Sequence, residues 1–187
     1  MTEIVLGVGG SVAAYRAADL ARELMRRGFG VTAVLTESAA RFVTPLLFES
    51  LTGRPVLVGA YEEPERGRMA HIDLARRADL IVVAPITASG LAKLAHGVAD
   101  DMLTTIALAT RAPLLLAPAM NPDMWAAEPT RANVATPLAR GAELVGPVGG
   151  LVACGEEGTG KLASIEEIVA AVEAAAFRSA ALAGKRV

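Results

Sequence analysis

The sequence predicts an α/β protein built on a doubly wound parallel sheet. Short apolar runs alternate with segments whose apolar residues recur at helical spacing, which is the pattern of repeated β-α units. Apolar residues make up 53% of the 187 residues and aromatic residues only 4%, so the core must consist mainly of aliphatic side chains. Parallel strands covered by helices have this composition.

Five strands are predicted where a short apolar run stops at turn-forming residues. The first run ends at Gly9-Gly10-Ser11, the second at Thr36-Glu37-Ser38 and the fourth at Pro118. Short runs that are apolar throughout are typical of strands buried on both faces. The predicted strands cover residues 4–8, 31–35, 80–84, 114–117 and 142–145.

Helices are predicted between these strands, where apolar residues recur at helical spacing. The first ends at Gly28, the second is interrupted near Pro45, and the long pattern after the third strand breaks into two helices around residues 97–101. Residues 53–67 are rich in Pro, Gly and charge and predict irregular structure, and the glycines up to Gly160 predict a loop. The predicted helices cover residues 13–27, 39–51, 71–77, 87–108, 130–140 and 164–177.

Charge and composition exclude several classes of partner. The formal net charge is −2 with both signs mixed along the chain, which gives no electrostatic reason to expect nucleic acid or an anionic membrane. No apolar stretch reaches the length of a membrane span, and residues 1–3 lack the basic start of a signal peptide. A single cysteine permits no internal disulfide, so we expect a cytoplasmic protein. We predict no metal site.

The first turn, Gly9-Gly10-Ser11, has the composition of a phosphate site. Glycines let the backbone approach a phosphate closely, and the N–H groups at the start of the following helix point outward toward negative charge. An ordinary tight turn between a strand and a helix remains the alternative interpretation.

A mononucleotide such as FMN suits this turn better than a dinucleotide. Val12 stands where the dinucleotide fingerprint has its third glycine, and the second strand does not end in the acid that would bind a ribose diol. Thr36 and Ser38 follow that strand instead, and their hydroxyls suit a terminal phosphate, provided that Glu37 points away.

Asn121 follows the fourth predicted strand, at the sheet edge where open α/β proteins bind ligands. Pro118 and Pro122 restrict the backbone on either side, so the amide, which can donate and accept, points in few directions. Two interpretations stay open: Asn121 contacts a small ligand, or it caps a helix that begins at Pro122.

Cys154 begins a glycine-rich segment. Residues 155–162 match most of a phosphate-binding P-loop, but Leu162 replaces the hydroxyl residue, and Glu156 and Glu157 would repel phosphates, so we reject a nucleoside triphosphate site. In such a segment Cys154 could close over a site and bring a proton donor with it, or it could be a small apolar filler.

The two histidines differ in context. His71 lies near Asp73, whose carboxylate could orient the ring, and is either catalytic or a surface residue at a helix start. His96 precedes Gly97 at a predicted helix end, where interaction with the helix dipole explains it without a function.

Six motifs, in order, give the chain a resemblance to a known family. They are residues 10–15 (GSVAAY), 69–74 (MAHIDL), 84–89 (APITAS), 100–104 (DDMLT), 118–121 (PAMN) and 153–155 (ACG). In this order and spacing they resemble the flavin-dependent cysteine decarboxylases, in particular the decarboxylase half of the bifunctional coenzyme A biosynthesis enzymes. The resemblance covers nearly the whole chain.

The resemblance implies a flavodoxin-like three-layer sandwich and a set of site residues. It implies that His71 and Asn121 surround the substrate carboxylate and that Cys154 is the proton donor. The implied FMN contacts are Gly10, Ser11, Val12, Thr36, Ser38, Thr87, Ala88, Ser89, Thr104 and Met120.

The implied reaction is the FMN-dependent oxidative decarboxylation of 4′-phosphopantothenoylcysteine to 4′-phosphopantetheine, through thioaldehyde and enethiolate intermediates. Resemblance also implies a homotrimer, commonly grouped into a dodecamer, with the active site between subunits. We expect residues 1–177 to form the decarboxylase domain and residues 178–187 to begin a linker to a synthetase domain. A flavin prenyltransferase and a non-enzymatic FMN-binding regulatory protein are the alternatives.

Overall fold

The computed structural model of the chain describes residues 1–59, 69–153 and 155–183, with side chains up to residue 178. Strands and helices alternate through this part of the chain. The strands are β1 (Glu3–Val8), β2 (Gly30–Leu35), β3 (Leu80–Ile86), β4 (Leu114–Pro118), β5 (Glu143–Leu144), β6 (Val148–Leu151) and β7 (Glu157–Lys161). The α-helices are α1 (Arg16–Arg26), α2 (Pro45–Thr52), α3 (Ala70–Arg77), α4 (Ala88–His96), α5 (Met102–Ala109), α6 (Pro122–Ala126), α7 (Glu128–Ala139) and α8 (Ile165–Ala183).

Strands β1 to β5 form one parallel sheet in the order β2-β1-β3-β4-β5. The chain runs from β1 to β2 on one side and then returns to place β3 on the other side of β1. The strand order therefore reverses between β1 and β3, and open α/β sheets bind ligands at the carboxyl edge of such a point. The predicted doubly wound parallel sheet is confirmed.

The sheet separates two apolar cores, which makes the fold a three-layer sandwich. Ile4, Leu6 and Val8 of β1 pack in one core with residues of α1 and α8. Val5, between them, packs in the other core with residues of α3, α4 and α5. Because successive side chains of a strand point to opposite faces, a strand covered on both faces must be apolar throughout.

The glycine-rich segment before α8 differs from its prediction. We expected a loop up to Gly160, but β6 and β7 form an antiparallel ribbon. The ribbon packs closely on the turn after β4, because the N–H of Met120 donates to the carbonyl of Gly160 at 2.9 Å. A Cβ at Gly160 would lie 2.2 Å from the carbonyl oxygen of Met120, so this packing requires glycine.

Smaller differences concern the ends of elements. The first predicted helix begins with a short 3₁₀ turn at Val12–Tyr15, and α8 extends beyond its predicted end at residue 177. The predicted strand at residues 142–145 is only two residues long, and α6 begins at Pro122, as one of the two interpretations of Asn121 expected. The predicted split of residues 87–108 is confirmed, because α4 ends at Gly97, whose φ is +69°, and α5 starts after Asp101. Among the helices of the described ranges, none has the length and hydropathy of a membrane span.

Candidate cofactor and substrate site

A groove lies at the carboxyl ends of β1, β2 and β3, where the strand order reverses. The first glycine turn and the turn after β2 form one end, and the starts of α4 and α5 form the other. The residues that line it are Gly9, Gly10, Thr36, Ser38, Val83, Ile86, Thr87, Ser89, Gly90, Lys93, Leu94, Asp101, Leu103 and Thr104.

The first glycine turn packs closely against the end of β3 and the turn after β2. The N–H of Gly9 donates to the carbonyl of Pro85 at 2.8 Å, which ties the turn to the end of β3. A Cβ at Gly10 would lie 2.3 Å from Ser38 Oγ and 2.5 Å from Ser38 Cβ. Only glycine permits this approach, and within the described part of the chain no residue accepts a hydrogen bond from the Gly10 N–H. That N–H can bind an anion.

Ser11 and Val12, which the resemblance also assigned to FMN, do not line the groove. The Ser11 hydroxyl accepts a hydrogen bond from the N–H of Ala13 at 3.3 Å and caps the short helical turn. Val12 is 55% exposed. Ser11 therefore acts as it would in an ordinary turn between a strand and a helix. Gly10, in contrast, lines the groove.

Thr36 and Ser38 bring two hydroxyls to the same end of the groove. Their oxygens lie 3.0 Å apart, and Thr36 Oγ1 also accepts from the N–H of Ala39 at 3.1 Å. The N–H of Thr36 donates to the carbonyl of Val8, so the ends of β1 and β2 are held together. Glu37 is exposed and does not line the groove, which meets the condition that we set for a phosphate there.

The starts of α4 and α5 supply the other wall. Thr87 caps α4 by accepting from the N–H of Gly90 at 3.1 Å, and Ser89 is exposed on the first turn of that helix. Thr104 is buried and forms a capping box with Asp101, to whose Oδ1 it donates at 2.8 Å. Ala88 belongs to the same turn of α4 but does not line the groove.

An ion cluster that the sequence analysis missed borders this wall. Lys93 Nζ lies 2.7 Å from Asp100 Oδ1 and 2.7 Å from Asp101 Oδ2. Burial opposes the charge of Asp101, but hydrogen bonds from Lys93 and Thr104 outweigh it and lower the pKa of Asp101. Burial likewise opposes the charge of Lys93, and the two carboxylates outweigh it and raise the pKa of Lys93. The cluster fixes the spacing between α4 and the start of α5.

Asn121 is the N-cap of α6, so the helix-cap interpretation is correct in its geometry. Its Oδ1 accepts from the N–H groups of Asp123 and Met124 at 2.8 and 3.3 Å. These bonds orient the amide so that Nδ2 points away from the helix, where it donates to Glu156 Oε2 at 2.5 Å. Capping and ligand binding are therefore compatible, because capping uses the oxygen and leaves the nitrogen as the donor. Sequence reasoning had considered Glu156 only as a charge that repels phosphates.

The remaining predicted site residues lie outside the lining of the groove. His71 lies in the first turn of α3, as a helix-start residue would, but it is half-buried rather than exposed, and Met120 is partly buried against the α3-α4-α5 core. Neither His71, Met120 nor Asn121 lines the groove. Cys154 falls outside the described residues.

The structure thus brings six of the ten predicted cofactor contacts to one groove: Gly10, Thr36, Ser38, Thr87, Ser89 and Thr104. The enclosed volume is about 80 Å³, whereas small-molecule sites usually measure about 300 to 1,000 Å³. One chain therefore provides a shallow wall for a ligand rather than a complete pocket.

Comparison with family models and curated proteins gives consistent results. A model described as Flavoprotein matches residues 1–177. The coenzyme A biosynthesis bifunctional protein CoaBC of Vibrio vulnificus is 43% identical over 171 residues, which are 91% of this chain and 43% of the relative. CoaBC of Bacillus subtilis is 42% identical over 98% of this chain and 46% of the relative. The chain spans less than half the length of these curated relatives.

Solved structures resemble the chain over nearly its whole length. An FMN-dependent cysteine decarboxylase, SpaF, superimposes with a TM-score of 0.84 at 31% identity and covers 96% of this chain and 98% of its own. A mutant PPC decarboxylase complexed with pantothenoylaminoethenethiol gives a TM-score of 0.81 at 31% identity, covering 92% and 96%. The FMN binding protein AtHal3 gives 0.79 at 32% identity, covering 92% and 95%.

Proposed function

This chain belongs to the flavoprotein family, and on that premise we propose that it catalyses the FMN-dependent decarboxylation of 4′-phosphopantothenoylcysteine to 4′-phosphopantetheine in coenzyme A biosynthesis. The observation that carries the proposal is the groove at the β1–β3 reversal, where a glycine turn and a pair of hydroxyls meet. The names of the curated relatives and of the PPC decarboxylase structure support the substrate.

The groove fits the phosphate end of FMN. A phosphate between the Gly10 N–H and the hydroxyls of Thr36 and Ser38 would accept hydrogen bonds from a backbone and two side chains. Hydrogen bonds to a charged group are stronger than neutral ones, so a few such donors suffice to anchor the cofactor. Thr87, Ser89 and Thr104 would then lie along the rest of the molecule, and we propose Ser11, Val12, Ala88 and Met120 as outer contacts.

A peptide-linked cysteine has no electron sink for the bond that breaks when CO₂ leaves. FMN held in the groove would supply that sink, because a flavin can accept two electrons from the thiol-bearing carbon and return them afterwards. The proposed route would take the substrate from thiol to thioaldehyde and, after loss of CO₂, to an enethiolate, whose reduction would consume one proton. The protein has to hold the carboxylate, help remove the thiol proton and deliver the last proton.

Asn121 is proposed to hold the carboxylate. Its Nδ2 is a neutral donor whose direction is fixed by the bonds of Oδ1 to the start of α6. A neutral donor orients the carboxylate without stabilising its negative charge as strongly as an arginine or lysine would. This choice matters because the carboxylate charge is lost in the transition state.

His71 and Cys154 are proposed to handle the protons. His71 either assists thiol deprotonation or contacts the carboxylate beside Asn121, and both roles place it at the reacting end of the substrate. Cys154 is proposed as the acid that protonates the product. An ordinary thiol has a pKa of about 8.5 and so carries its proton at neutral pH.

We propose that a second copy of this chain completes the site in a homotrimer, with trimers grouped into a dodecamer. The small enclosed volume of the groove supports completion of the site by a second copy. So do exposed apolar side chains on the first turn and around α2, which are Val12, Tyr15, Phe42 and Leu46. We place the enzyme in the cytoplasm, with residues 1–177 as the decarboxylase domain and residues 178–187 leading toward a synthetase domain, as the length of the CoaBC relatives supports.

Rapid mixing of the FMN-loaded protein with the substrate tests the proposal. The flavin absorption is expected to bleach and then recover in the wild type. The variant His71→Asn should keep its flavin but show no bleaching, and Cys154→Ser should bleach and release CO₂ without recovering. A protein that binds no flavin, or a Cys154→Ser variant that turns over normally, would contradict the assignment.

A further inference from the structure

We propose that Glu156 is an internal carboxylate that competes with the carboxylate of the substrate for the amide of Asn121. Glu156 would then be a specificity-determining residue for the reaction proposed above, on which this inference rests. Its starting point is the hydrogen bond of 2.5 Å from Asn121 Nδ2 to Glu156 Oε2.

The orientation of Asn121 shows that its Nδ2 forms a carboxylate site. Because Oδ1 accepts the N–H groups of Asp123 and Met124, rotating the amide by half a turn would put two donors against those N–H groups. The side chain is therefore held with Nδ2 outward. The group that it meets there is a carboxylate, which is the same chemical group that the proposed substrate must present.

The ribbon β6–β7 positions Glu156 for this contact. Its backbone carbonyl accepts the N–H of Val152 at 2.9 Å within the turn that joins the two strands. The ribbon is also packed against the residues around Asn121, because Gly158 approaches Pro122 so closely that a Cβ there would lie 2.8 Å from Pro122 Cβ. Glu156 thus reaches Asn121 from a docked element.

The side chain of Glu156 can leave without a large cost. Glu156 is exposed, so its carboxylate exchanges a hydrogen bond with Asn121 for hydrogen bonds with water. The Asn121 amide nitrogen carries two N–H groups, but a second carboxylate bound beside Glu156 would bring two like charges close together, and their repulsion favours displacement of Glu156. In this proposal a ligand that brings a carboxylate to the amide displaces Glu156, whereas a ligand without a carboxylate leaves Glu156 in place.

Competition of this kind distinguishes substrate from product. The substrate carries the carboxylate that displaces Glu156, whereas the product has lost it as CO₂. Once CO₂ has left, Glu156 can return to Asn121. The ribbon then makes its ligand-free contact again, and this favours product release.

Binding of two unreactive analogues to the FMN-loaded protein tests the inference by titration calorimetry. One is 4′-phosphopantothenoylserine, which keeps the carboxylate but replaces the thiol by a hydroxyl, and the other is its decarboxylated ethanolamine counterpart. The variant Glu156→Gln removes the charge of the competitor, and Glu156→Ala removes its acceptor. Glu157→Gln is the matched control, because it makes the same charge change at the neighbouring exposed residue of the ribbon.

For the serine analogue, we expect Kd to fall about three- to ten-fold in both Glu156 variants, the range for loss of one competing hydrogen bond at an exposed site. Kd for the ethanolamine analogue should stay unchanged, and Glu157→Gln should affect neither ligand. Wild-type affinity in the Glu156 variants, or an equal gain in Glu157→Gln, would overturn the role of Glu156 while leaving the decarboxylase proposal intact. If the FMN-loaded wild type bound neither analogue, the proposed function would fail, and the inference with it.

Discussion

Replacement of Gly10 by alanine is expected to weaken flavin binding strongly while leaving a folded protein. Gly10 lies against the turn after β2, and the phosphate site that we propose depends on the close approach of these two turns. The new Cβ would lie 2.3 Å from Ser38 Oγ and 2.5 Å from Ser38 Cβ. It would also lie 3.0 Å from the backbone carbon of Ser38, so rotation of the Ser38 side chain alone cannot relieve the overlap.

The size of the effect follows from these distances. Ordinary contacts of a Cβ begin near 3.4 Å, so the two turns must separate by roughly 1 Å. Overpacking of this kind costs about 1 to 3 kcal/mol of unfolding free energy. A displacement of 1 Å also takes the Gly10 N–H or the hydroxyls of Thr36 and Ser38 out of hydrogen-bond range of one phosphate. Losing one charged hydrogen bond, worth about 1.5 to 3 kcal/mol, weakens FMN binding about ten- to a hundred-fold.

The assay combines flavin absorption with chemical denaturation. Purified variants are titrated with FMN, and the unfolding free energy is measured with and without the cofactor. Gly149→Ala is the matched control, because a Cβ at Gly149 has no neighbour within 4 Å and the residue does not need a positive φ. If Gly10→Ala bound FMN as tightly as Gly149→Ala, the phosphate would not lie between the first turn and Ser38, and the reasoning would be wrong.

Three further outcomes are expected from the packing of the chain. Asp101→Ala removes the cap of α5 and the ion pair with Lys93, so it should lower the unfolding free energy measured by chemical denaturation by about 1.5 kcal/mol. Asp101→Asn retains a capping side chain and should lower it by about 0.5 kcal/mol. Equal losses in the two variants would contradict the capping role. The folded pKa of Asp101 lies below its ordinary value of 3.8, so its stabilisation is complete above that pH and is lost as the pH falls through the folded pKa. The unfolding free energy of Asp101→Asn should therefore fall less steeply than that of the wild type in acid, and parallel curves would count against this cause. Gly160→Ala places a Cβ 2.2 Å from the Met120 carbonyl and should destabilise the protein by about 1 to 3 kcal/mol; unchanged stability on denaturation would mean that the ribbon does not need this contact.

The sheet could be predicted because burial on both faces of a strand requires a recognisable run of apolar residues in the sequence. Residues 4–8 of β1 and the strands β3 and β4 are covered on both faces, so each reads as an apolar run that ends at a turn. The sequence of the ribbon β6–β7 contains no such apolar run. Its packing against Met120 and Pro122 depends on the absence of side chains at Gly158 and Gly160, and glycines in a sequence indicate a loop as readily as a close contact.

The site could be predicted in part for the same reason. Gly10, Thr36 and Ser38 each follow a strand, and the carboxyl ends of parallel strands share one edge of the sheet, so sequence order alone places them together. Lys93 and Glu156 could not be found in this way. Their importance comes from partners that tertiary packing brings near, namely the aspartates before α5 and the amide of Asn121.

Removal of CO₂ from a cysteine carboxylate, with the help of FMN held at the β1–β3 reversal, is the activity that we propose for this chain. Its most direct test compares the FMN-loaded protein with the same protein stripped of flavin, each incubated with 4′-phosphopantothenoylcysteine while CO₂ and the mass of the product are measured. We predict one CO₂ released for each 4′-phosphopantetheine formed, only in the loaded protein, with no net consumption of flavin. Equal CO₂ release without flavin, or an FMN-loaded protein that leaves the substrate unchanged, would contradict the account.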